Sequence, residues 1–235
     1  MTLRLYDLAA ADDAVRFSPY CWRAKMALKH KGLDFETVPW RFTEKDVLAP
    51  TGQGRVPVLV DGDRWISDSW AIALYLDEAH GDRPALFGSP GEVALARFVN
   101  QWCDNVLHLA LRAPLLLDIF KVADARDRDY FRASREKMIG VALEEACLDR
   151  EADLAALKRT LYPVEMSLKE RKFLSGDAPA YADFCLFGSL MWAHVISPEP
   201  VLRADTAVAA WFEAMLDLHG GYARAAPRAG LPAAA

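Results

Sequence analysis

The first third of the chain mixes two periods of apolar residues. Residues 3–7 alternate apolar and polar side chains, and this period of two predicts a short strand. From Pro19 the apolar positions recur every three or four residues, which predicts a helix that ends near Gly32. Residues 35–38 predict a second strand, which we expect to stop at Pro39.

A hairpin and a second helix complete this part of the chain. Residues 56–60 and 64–66 are rich in apolar side chains and are joined by residues 61–63, Asp-Gly-Asp. This pattern predicts a hairpin through an Asp-Gly turn. The polar residues 67–69 then open a helix whose apolar positions continue to Ala79. The predicted order is βαβ followed by ββα.

Beyond residue 82 the apolar positions follow only the helical period. Prolines and glycines concentrate in residues 83–91, so this segment is the predicted linker between a first domain, 1–82, and a second domain, 92–235. The second domain shows no strand pattern. We therefore expect an α+β chain of two domains, with a βαβ-ββα domain followed by an all-α helical bundle.

Several helices are predicted in the second domain. One apolar face begins at Leu95 and is expected to end near Pro114. The charged, heptad-like residues 127–158 predict one long helix or two joined helices. Three further helical segments are predicted at 164–173, 182–196 and 208–218.

The composition narrows the classes of function. Of 235 residues, 53% are hydrophobic and 26% are charged, so the chain can bury a core and is not intrinsically disordered. A formal net charge of −5 argues against nucleic acid or an anionic membrane as the main partner. The longest apolar run, residues 185–195, is too short to span a bilayer, and we expect no secretory signal.

The cysteines and histidines predict neither a disulfide framework nor a metal site. The four cysteines lack paired spacing, which favours reduced thiols and a cytoplasmic location. No set of histidine, cysteine and aspartate has metal-ligand spacing, so we expect no metal. The cysteines are Cys21, beside the first helix start, and Cys103, Cys147 and Cys185 on apolar helical faces, where core positions are expected.

Three features of the first domain carry candidate chemistry. Ser18 precedes a predicted helix, where free backbone N–H groups and the helix dipole stabilise a thiolate, although an ordinary helix cap has the same pattern. A cis Val56–Pro57 bond would turn the Val56 backbone outward to pair with a peptide, but an ordinary strand start is the alternative. Asp68 and Ser69 can hold an ammonium and a carboxylate, or simply cap a helix.

Taken together these motifs resemble a known family. Ser-Pro-Tyr-Cys at 18–21, Arg-Val-Pro-Val at 55–58, Asp-Ser at 68–69 and Tyr-Leu-Asp-Glu at 75–78 are similar to those of cytosolic glutathione S-transferases, and the resemblance covers nearly the whole chain. Within that superfamily the chain most resembles bacterial glutathione-dependent β-aryl etherases and their fungal etherase-like relatives. The narrower resemblance rests on residues 18–20, 27–32, 68–70, 128–130 and 134–136.

The resemblance implies a thioredoxin-like domain that binds glutathione and a helical domain that supplies an apolar second pocket. It implies that Ser18 hydrogen-bonds the glutathione sulfur, and that Val56, presented by cis-Pro57, pairs with the cysteinyl backbone. Asp68 and Ser69 would hold the γ-glutamyl end of glutathione. The glycyl carboxylate would meet Arg55 or a basic residue of the 41–45 loop, such as Arg41 or Lys45.

The helix-start motif of the second domain is also represented, at residues 182–184, but its usual hydroxyl cap is replaced by Ala180. We expect this helix start to be weaker by about 1 kcal/mol. Candidate pocket residues, with plain core as the alternative, are Trp102, Cys103, Leu107, Met191 and Trp192. The charged residues 124–137 are interpreted as a solvated helix face or an interface.

The resemblance implies a transferase in which the glutathione thiolate attacks a small hydrophobic or aromatic electrophile, with cleavage of β-aryl ethers included. It also implies a homodimer. Two alternatives remain open, namely a glutathione-dependent disulfide or dehydroascorbate reductase that uses Cys21, and a non-catalytic carrier of aromatic ligands. Ser18 stands where a redox motif has its first cysteine, which disfavours the reductase, and Cys21 is expected to be a structural thiol.

Overall fold

Four strands form one mixed sheet in the computed structural model, which describes residues 2–230. Its order is β2-β1-β3-β4, with β2 parallel to β1 and the other pairs antiparallel. The last five residues of the predicted second domain, 231–235, lie outside the described residues. The strands are β1 (Leu3–Leu8), β2 (Phe35–Trp40), β3 (Val58–Asp61) and β4 (Arg64–Ser67).

Strand β2 does not stop at Pro39, so that prediction is wrong. The strand continues to Trp40, and Pro39 lies opposite Asp7 of β1. Because β2 is at the edge of the sheet, it pairs on one side only. A proline is tolerated on such a strand, where the backbone N–H that it lacks can be one that has no partner in the ladder.

Helices make up the rest of the fold and follow the predicted order. Two of them belong to the first part of the chain, where they pack on its sheet and against each other, and the seven that follow form the helical part. They are α1 (Pro19–His30), α2 (Ser69–Ala79), α3 (Pro90–Trp102), α4 (His108–Val122), α5 (Ala125–Ile139), α6 (Leu143–Ala146), α7 (Arg150–Glu170), α8 (Tyr181–Ile196) and α9 (Ala207–Leu216). A 3₁₀ segment, Lys45–Thr51, precedes β3, and a short kinked segment, Leu218–Gly221, follows α9. Helix α3 begins at Pro90, inside the predicted linker.

Three predictions for the helices of the second part are wrong, one of them the separate helix at 164–173, because these residues continue α7, which ends at Glu170. Helix α4 continues through Pro114 because both of its neighbouring core positions, Leu111 and Leu115, are fully buried and hold the helix in place. The break instead lies at Cys103–Leu107, which forms a π-turn. The charged region predicted as one or two helices contains three, and Gly140 ends α5 with a left-handed φ of 83°.

Helices α1 and α8 cross at very close range, and Gly188 makes this possible. A Cβ atom on Gly188 would lie 2.4 Å from the carbonyl oxygen of Pro19 and 3.0 Å from Cγ of Arg23. No side chain fits into that space. The helix that starts at Ser18 is therefore held against the helical domain backbone to backbone.

The start of α8 is held by Asp183 rather than by a capping hydroxyl. Ala180 offers no side-chain acceptor, as the sequence shows, but the Asp183 carboxylate accepts a hydrogen bond from its backbone N–H at 3.3 Å. The same buried carboxylate accepts from the backbone N–H of Leu174 (2.8 Å) and from the indole N–H of Trp211 (3.1 Å). One side chain thus orders three segments around this helix start.

Candidate functional site

A cleft of about 440 Å³ separates the sheet domain from the helices. One wall comes from the first domain and includes the start of α1 and the loop before β3. The opposite wall comes from the π-turn, α4, α5 and one residue of α8. The polar and aromatic residues of the cleft are Phe17, Ser18, Tyr20, Trp40, Phe42 and Arg55 on the first side, and Asp104, His108, Arg112, Tyr130, Phe131, Arg135 and Trp192 on the second.

Ser18 is the N-cap of α1 and at the same time part of the cleft wall. Its backbone is extended (φ −63°, ψ 125°), and its Oγ accepts a hydrogen bond from the backbone N–H of Cys21 at 3.3 Å. The helix-cap interpretation of Ser18 is therefore confirmed. Ser18 is only 3% exposed, and because its Oγ accepts at the helix cap, its hydroxyl proton can be donated to a group bound in the cleft.

The Val56–Pro57 bond is cis, and Val56 lines the cleft beside Arg55. Among residues 2–230, the backbone N–H and C=O of Val56 have no hydrogen-bond partner. Pro57 is buried behind them, and its carbonyl accepts from the backbone N–H of Asp68 at 3.3 Å. This contact places the start of α2 directly beside the Val56 segment.

Asp68 and Ser69 lie at the start of α2 and do not line the cleft itself. Asp68 is exposed, has a φ of 78°, and accepts from the backbone N–H groups of Trp70 (2.9 Å) and Ala71 (3.1 Å). Ser69 is buried, and its carbonyl accepts from the Tyr181 hydroxyl at 2.6 Å. Of the six predicted site residues, the cleft thus brings together Ser18, Arg55 and Val56, with the others adjoining through Pro57.

The two loop cations considered for the glycyl carboxylate are engaged elsewhere. Arg41 forms ion pairs with Asp13 and with Asp124 (3.2 Å), and Lys45 lies over the ring of Tyr130 at 4.7 Å. Neither lines the cleft. Arg55, which is exposed at its edge and forms no ion pair within the described residues, is the better placed of the three.

Cys21 is fully buried below the cleft floor. Burial, together with the nearby carboxylate of Asp7, raises the pKa of its thiol well above the usual range. A thiol in this environment is a poor nucleophile at neutral pH, which argues against the reductase alternative. Cys103 and Cys185 are buried as expected, but Cys147 is only half-buried, because α6 lies at the surface.

A buried hydrogen-bonded chain behind the cleft determines the proton positions on His108. Ser189 Oγ donates its proton to the Cys185 carbonyl at 2.9 Å and therefore accepts from His108 Nε2, also at 2.9 Å. Burial and the nearby Arg23 guanidinium hold the pKa of His108 well below its usual range, so the ring is neutral. Its Nδ1 must then accept from the Tyr20 hydroxyl at 3.3 Å.

The cleft wall on the helical side contains residues that the sequence reading missed. Asp104 of the π-turn and His108, Arg112 and Leu116 of α4 recur every four residues and line the same cleft wall. That spacing of polar side chains in an otherwise apolar helix was the available signal. Of the five pocket residues predicted instead, only Trp192 lines the cleft.

The pocket interpretation is wrong for the other four residues, and the plain-core alternative is confirmed for three of them. Cys103 and Leu107 of the π-turn and Met191 of α8 are all fully buried. Trp102 faces away from the cleft and borders a separate surface groove with Leu95.

The charged residues 124–137 are not simply a solvated face. Asp127 is buried, and its carboxylate accepts from the backbone N–H groups of Phe42 (2.8 Å) and Thr43 (3.0 Å) in the loop after β2. Arg135 points into the cleft. The solvated-face interpretation is wrong for these two residues, which join α5 to the first domain and to the site.

Within residues 2–230, no group of three or more His, Cys, Asp or Glu side chains is arranged to hold a metal ion. In the same part of the chain, every helix is too short or too polar to cross a membrane.

Comparison with known proteins agrees with this geometry. The family model described as "Glutathione S-transferase, C-terminal domain" matches residues 94–213, and "Glutathione S-transferase, N-terminal domain" matches residues 14–84. The chain belongs to the glutathione S-transferase family. Its two matched segments correspond to the sheet part and the helical part, and family membership supports glutathione as the partner of the cleft.

Two relatives are similar to this chain over most of their length. Glutathione S-transferase 4 of Zea mays is 27% identical over 203 residues, which is 84% of this chain and 83% of the relative. Glutathione S-transferase U16 of Arabidopsis thaliana is 30% identical over 183 residues, or 75% and 68% of the two chains.

Solved structures of fungal glutathione transferases share the fold. GSTFuA3 of Phanerochaete chrysosporium superposes with a TM-score of 0.76 at 26% identity, covering 95% of this chain and 94% of that one. CsGST63524 of Ceriporiopsis subvermispora, solved in complex with glutathione, gives a TM-score of 0.80 at 22% identity over the whole of both chains.

Proposed function

We propose that this protein is a glutathione transferase in which Ser18 holds the glutathione sulfur as a thiolate for attack on hydrophobic, aromatic electrophiles. The observation that carries the proposal is the position of Ser18, at the N-terminus of α1 and in the wall of a cleft whose far side is aromatic. The positive end of the helix dipole and a hydroxyl donor both favour the thiolate over the thiol.

Tyr20 places a second hydroxyl in the cleft, but this hydroxyl already donates its proton to His108. Because the neutral His108 ring accepts from the Tyr20 hydroxyl, Tyr20 has no second proton to donate to sulfur. Burial also raises the pKa of Tyr20, so it does not act as a phenolate. Ser18 is therefore the hydroxyl assigned to the sulfur, and Tyr20 supports the cleft wall.

The rest of glutathione is assigned along the line from Val56 to Asp68. The unpaired Val56 backbone suits the cysteinyl amide of an extended tripeptide, as in strand addition. Asp68, with an exposed carboxylate, and Ser69, at the start of α2, suit the ammonium and carboxylate of the γ-glutamyl end. Arg55 is assigned to the glycyl carboxylate.

We further propose, from the narrower resemblance, that β-aryl ethers are among the substrates. The thiolate attacks the carbon that bears the aryloxy group, the carbon–oxygen bond breaks with its electron pair, and the phenolate leaves and takes a proton from water. Tyr130 and Arg135, which belong to the residues of that resemblance, line the cleft. A β-aryl ether ketone with a fluorescent phenol as leaving group gives a direct assay of this step.

The experiment that tests Ser18 measures the thiol pKa of bound glutathione from the ultraviolet absorbance of the thiolate. Ser89 provides a matched control, because it caps α3 and its Oγ accepts a backbone N–H at the same 3.3 Å. Both Ser18→Ala and Ser89→Ala should cost about 1 kcal/mol of stability. Only Ser18→Ala should raise the pKa of bound glutathione, by about one unit or more, and lower kcat/KM by about tenfold or more.

An unchanged thiol pKa in Ser18→Ala would contradict the assignment of the sulfur to Ser18. If wild-type protein binds glutathione and an aromatic probe but converts no member of a panel of aryl halides, epoxides and aryl ethers, the non-catalytic carrier is the better description. Absence of glutathione binding in calorimetry at millimolar concentration would refute the transferase itself.

We also propose that the protein is a homodimer. Apolar side chains of α3, the π-turn and α4 recur along one stripe and are exposed, with Phe98 68% and Leu109 53% accessible. Leu95 and Val106 continue the stripe. Light scattering should give twice the chain mass of 26.2 kDa, and Phe98→Glu should shift it toward the monomer.

A further inference from the structure

We infer that the preferred electrophile carries an anionic group, most simply a carboxylate on an aromatic ring, that is bound by Arg112 and Arg135. This inference rests on the proposed function and specifies its substrate. Both guanidinium groups lie in the helical wall of the cleft, Arg112 from α4 and Arg135 from α5. Both are half-buried.

Neither Arg112 nor Arg135 has a carboxylate partner among residues 2–230. The one carboxylate that lines the cleft, Asp104, is taken by Arg23 at 2.8 Å. By contrast Arg132, on the outer face of the same helix α5, is paired with both Glu136 (2.9 Å) and Glu144 (2.7 Å).

The surroundings of Arg135 show what kind of anion fits. Its Nη1 donates to Ser134 Oγ at 3.0 Å, and its guanidinium plane lies 4.8 Å from the Phe131 ring centroid and 5.3 Å from that of Phe42. Burial lowers the pKa of Arg135, and the charge of Arg112 acts in the same direction. A bound carboxylate would relieve both effects through charge-assisted hydrogen bonds.

The other side chains of this wall favour an aromatic ring as the group that bears the anion. Tyr130, Phe131 and Trp192 present aromatic surface next to the two guanidinium groups. A flat aromatic ring can pack against these side chains while its carboxylate meets the arginines. An aryl carboxylate satisfies both parts of the wall, whereas a neutral hydrocarbon would leave two cations desolvated.

Glutathione is itself an anion and could bind to Arg112 and Arg135 in place of an anionic electrophile. Its carboxylates are assigned to Arg55 and to the start of α2, both on the first-domain side of the cleft. Arg112 and Arg135 lie on the opposite wall. The two sources of anion are distinguished by measuring glutathione affinity and electrophile preference in the same variants.

The test compares 4-chloro-3-nitrobenzoate with 4-chloro-3-nitrobenzamide. The thiolate forms a sulfur–carbon bond with either ring, and chloride leaves with the electron pair of the broken carbon–chlorine bond. Each kcat/KM is divided by the rate constant of the uncatalysed reaction with glutathione thiolate, which removes the difference in intrinsic reactivity. Wild-type protein should prefer the benzoate by about tenfold or more.

Substitution should abolish this preference. Arg112→Gln and Arg135→Gln should each reduce the benzoate-to-benzamide ratio about tenfold, with the Kd of glutathione within twofold of wild type. Lys137→Gln is the matched control, because Lys137 is exposed on α5 and outside the cleft, so the ratio should not change. Two arginine variants on different helices guard against a folding defect in one of them.

A wild-type ratio near one, or a ratio unchanged in both arginine variants, overturns the inference. A parallel rise in the Kd of glutathione with an unchanged ratio also overturns it, since the arginines would then serve glutathione. Calorimetric binding of 3-nitrobenzoate against 3-nitrobenzamide, with and without S-methylglutathione, gives a result that needs no turnover. If the benzoate binds preferentially and no conjugation occurs, the proposed transferase function fails while the assignment of the anion site stands.

Discussion

The guanidinium of Arg23 in α1 donates to the carboxylate of Asp104 in the π-turn across 2.8 Å, and this pair joins the two parts of the molecule. Arg23 is fully buried and also donates to Asn100 Oδ1 at 3.3 Å, while Asn100 Nδ2 donates to Asp104 at 2.8 Å. Replacement of Arg23 by Met removes a donor from the buried Asn100 and the ion-pair partner of the half-buried Asp104. We expect the free energy of unfolding to fall by about 3–5 kcal/mol in denaturant titrations.

An exposed ion pair provides the control for Arg23. Arg203 and Asp205 form an ion pair at 2.8 Å with both side chains in solvent, so Arg203→Met should leave the free energy of unfolding unchanged. Equal stabilities of Arg23→Met and wild type would show that the buried pair does not couple the two domains.

Gly188→Ala should destabilise the same domain contact by a different mechanism. The added Cβ would lie 2.4 Å from the Pro19 carbonyl, so α1 and α8 must move apart. Overpacking of this kind costs about 1–3 kcal/mol and should also weaken glutathione binding, because Ser18 precedes Pro19. Gly91→Ala is the control, because the nearest atom beyond its two chain neighbours and the backbone of its own helix, Ser89 Oγ, would lie 3.8 Å from the added Cβ. A Gly188→Ala protein with wild-type melting temperature would refute the close packing.

Asp68→Asn separates helix capping from ligand binding. Asparagine tolerates the φ of 78° and can still accept from the backbone N–H groups of α2, so the loss of stability should not exceed about 1 kcal/mol. The Kd of glutathione in calorimetry should nevertheless rise about tenfold, because the charge facing the ammonium is lost. Asp149→Asn alters the equivalent cap of α7 and should not affect the Kd. Equal affinities of wild type and Asp68→Asn would remove Asp68 from the glutathione site.

Acidification should destabilise the protein through its histidines. Burial, with Arg228 nearby, lowers the pKa of His194 to about 4, whereas the unfolded value is about 6.5. The unfolded state therefore binds the extra proton first, and stability is lost as the pH falls from 6.5 toward 4. His194 alone should account for about 1–2 kcal/mol between pH 7 and pH 5. In His194→Gln, unfolding titrations should show a smaller slope over this range, and an unchanged slope would argue against its contribution.

Local patterns predicted the elements of the first domain well, because each one is bounded by residues with strong local preferences. Pro19 begins α1, and the Asp-Gly turn at 61–62 joins β3 to β4. The errors were at prolines whose effect depends on tertiary context. Pro39 is tolerated at the sheet edge and Pro114 in a helix supported by buried neighbours, and neither circumstance is visible in a short window of sequence.

The glutathione side of the cleft was predictable because its residues lie within short motifs. Ser18, Val56 and Asp68 each occur in a run of a few residues with a characteristic chemistry. The helical wall of the cleft could not be predicted in the same way. The spacing of Asp104, His108 and Arg112 shows that these residues share a face, but it does not show what that face contacts. What that face contacts depends on how the π-turn, which contains Asp104, and the helix α4 after it pack in the folded protein.

The π-turn at Cys103–Leu107 has a consequence for how substrate preference can change during evolution. Each residue of a helix advances the side-chain direction by about 100°, and the turn adds one residue to the regular repeat. The widened turn accommodates that extra residue, so the helices on either side keep their facing. Deleting a single residue there would restore a regular α-helix, change the side chains presented by the turn itself, including Asp104, and leave Arg112 of α4 facing the cleft. Contacts made by the turn can therefore change by one codon while those made by α4 are kept.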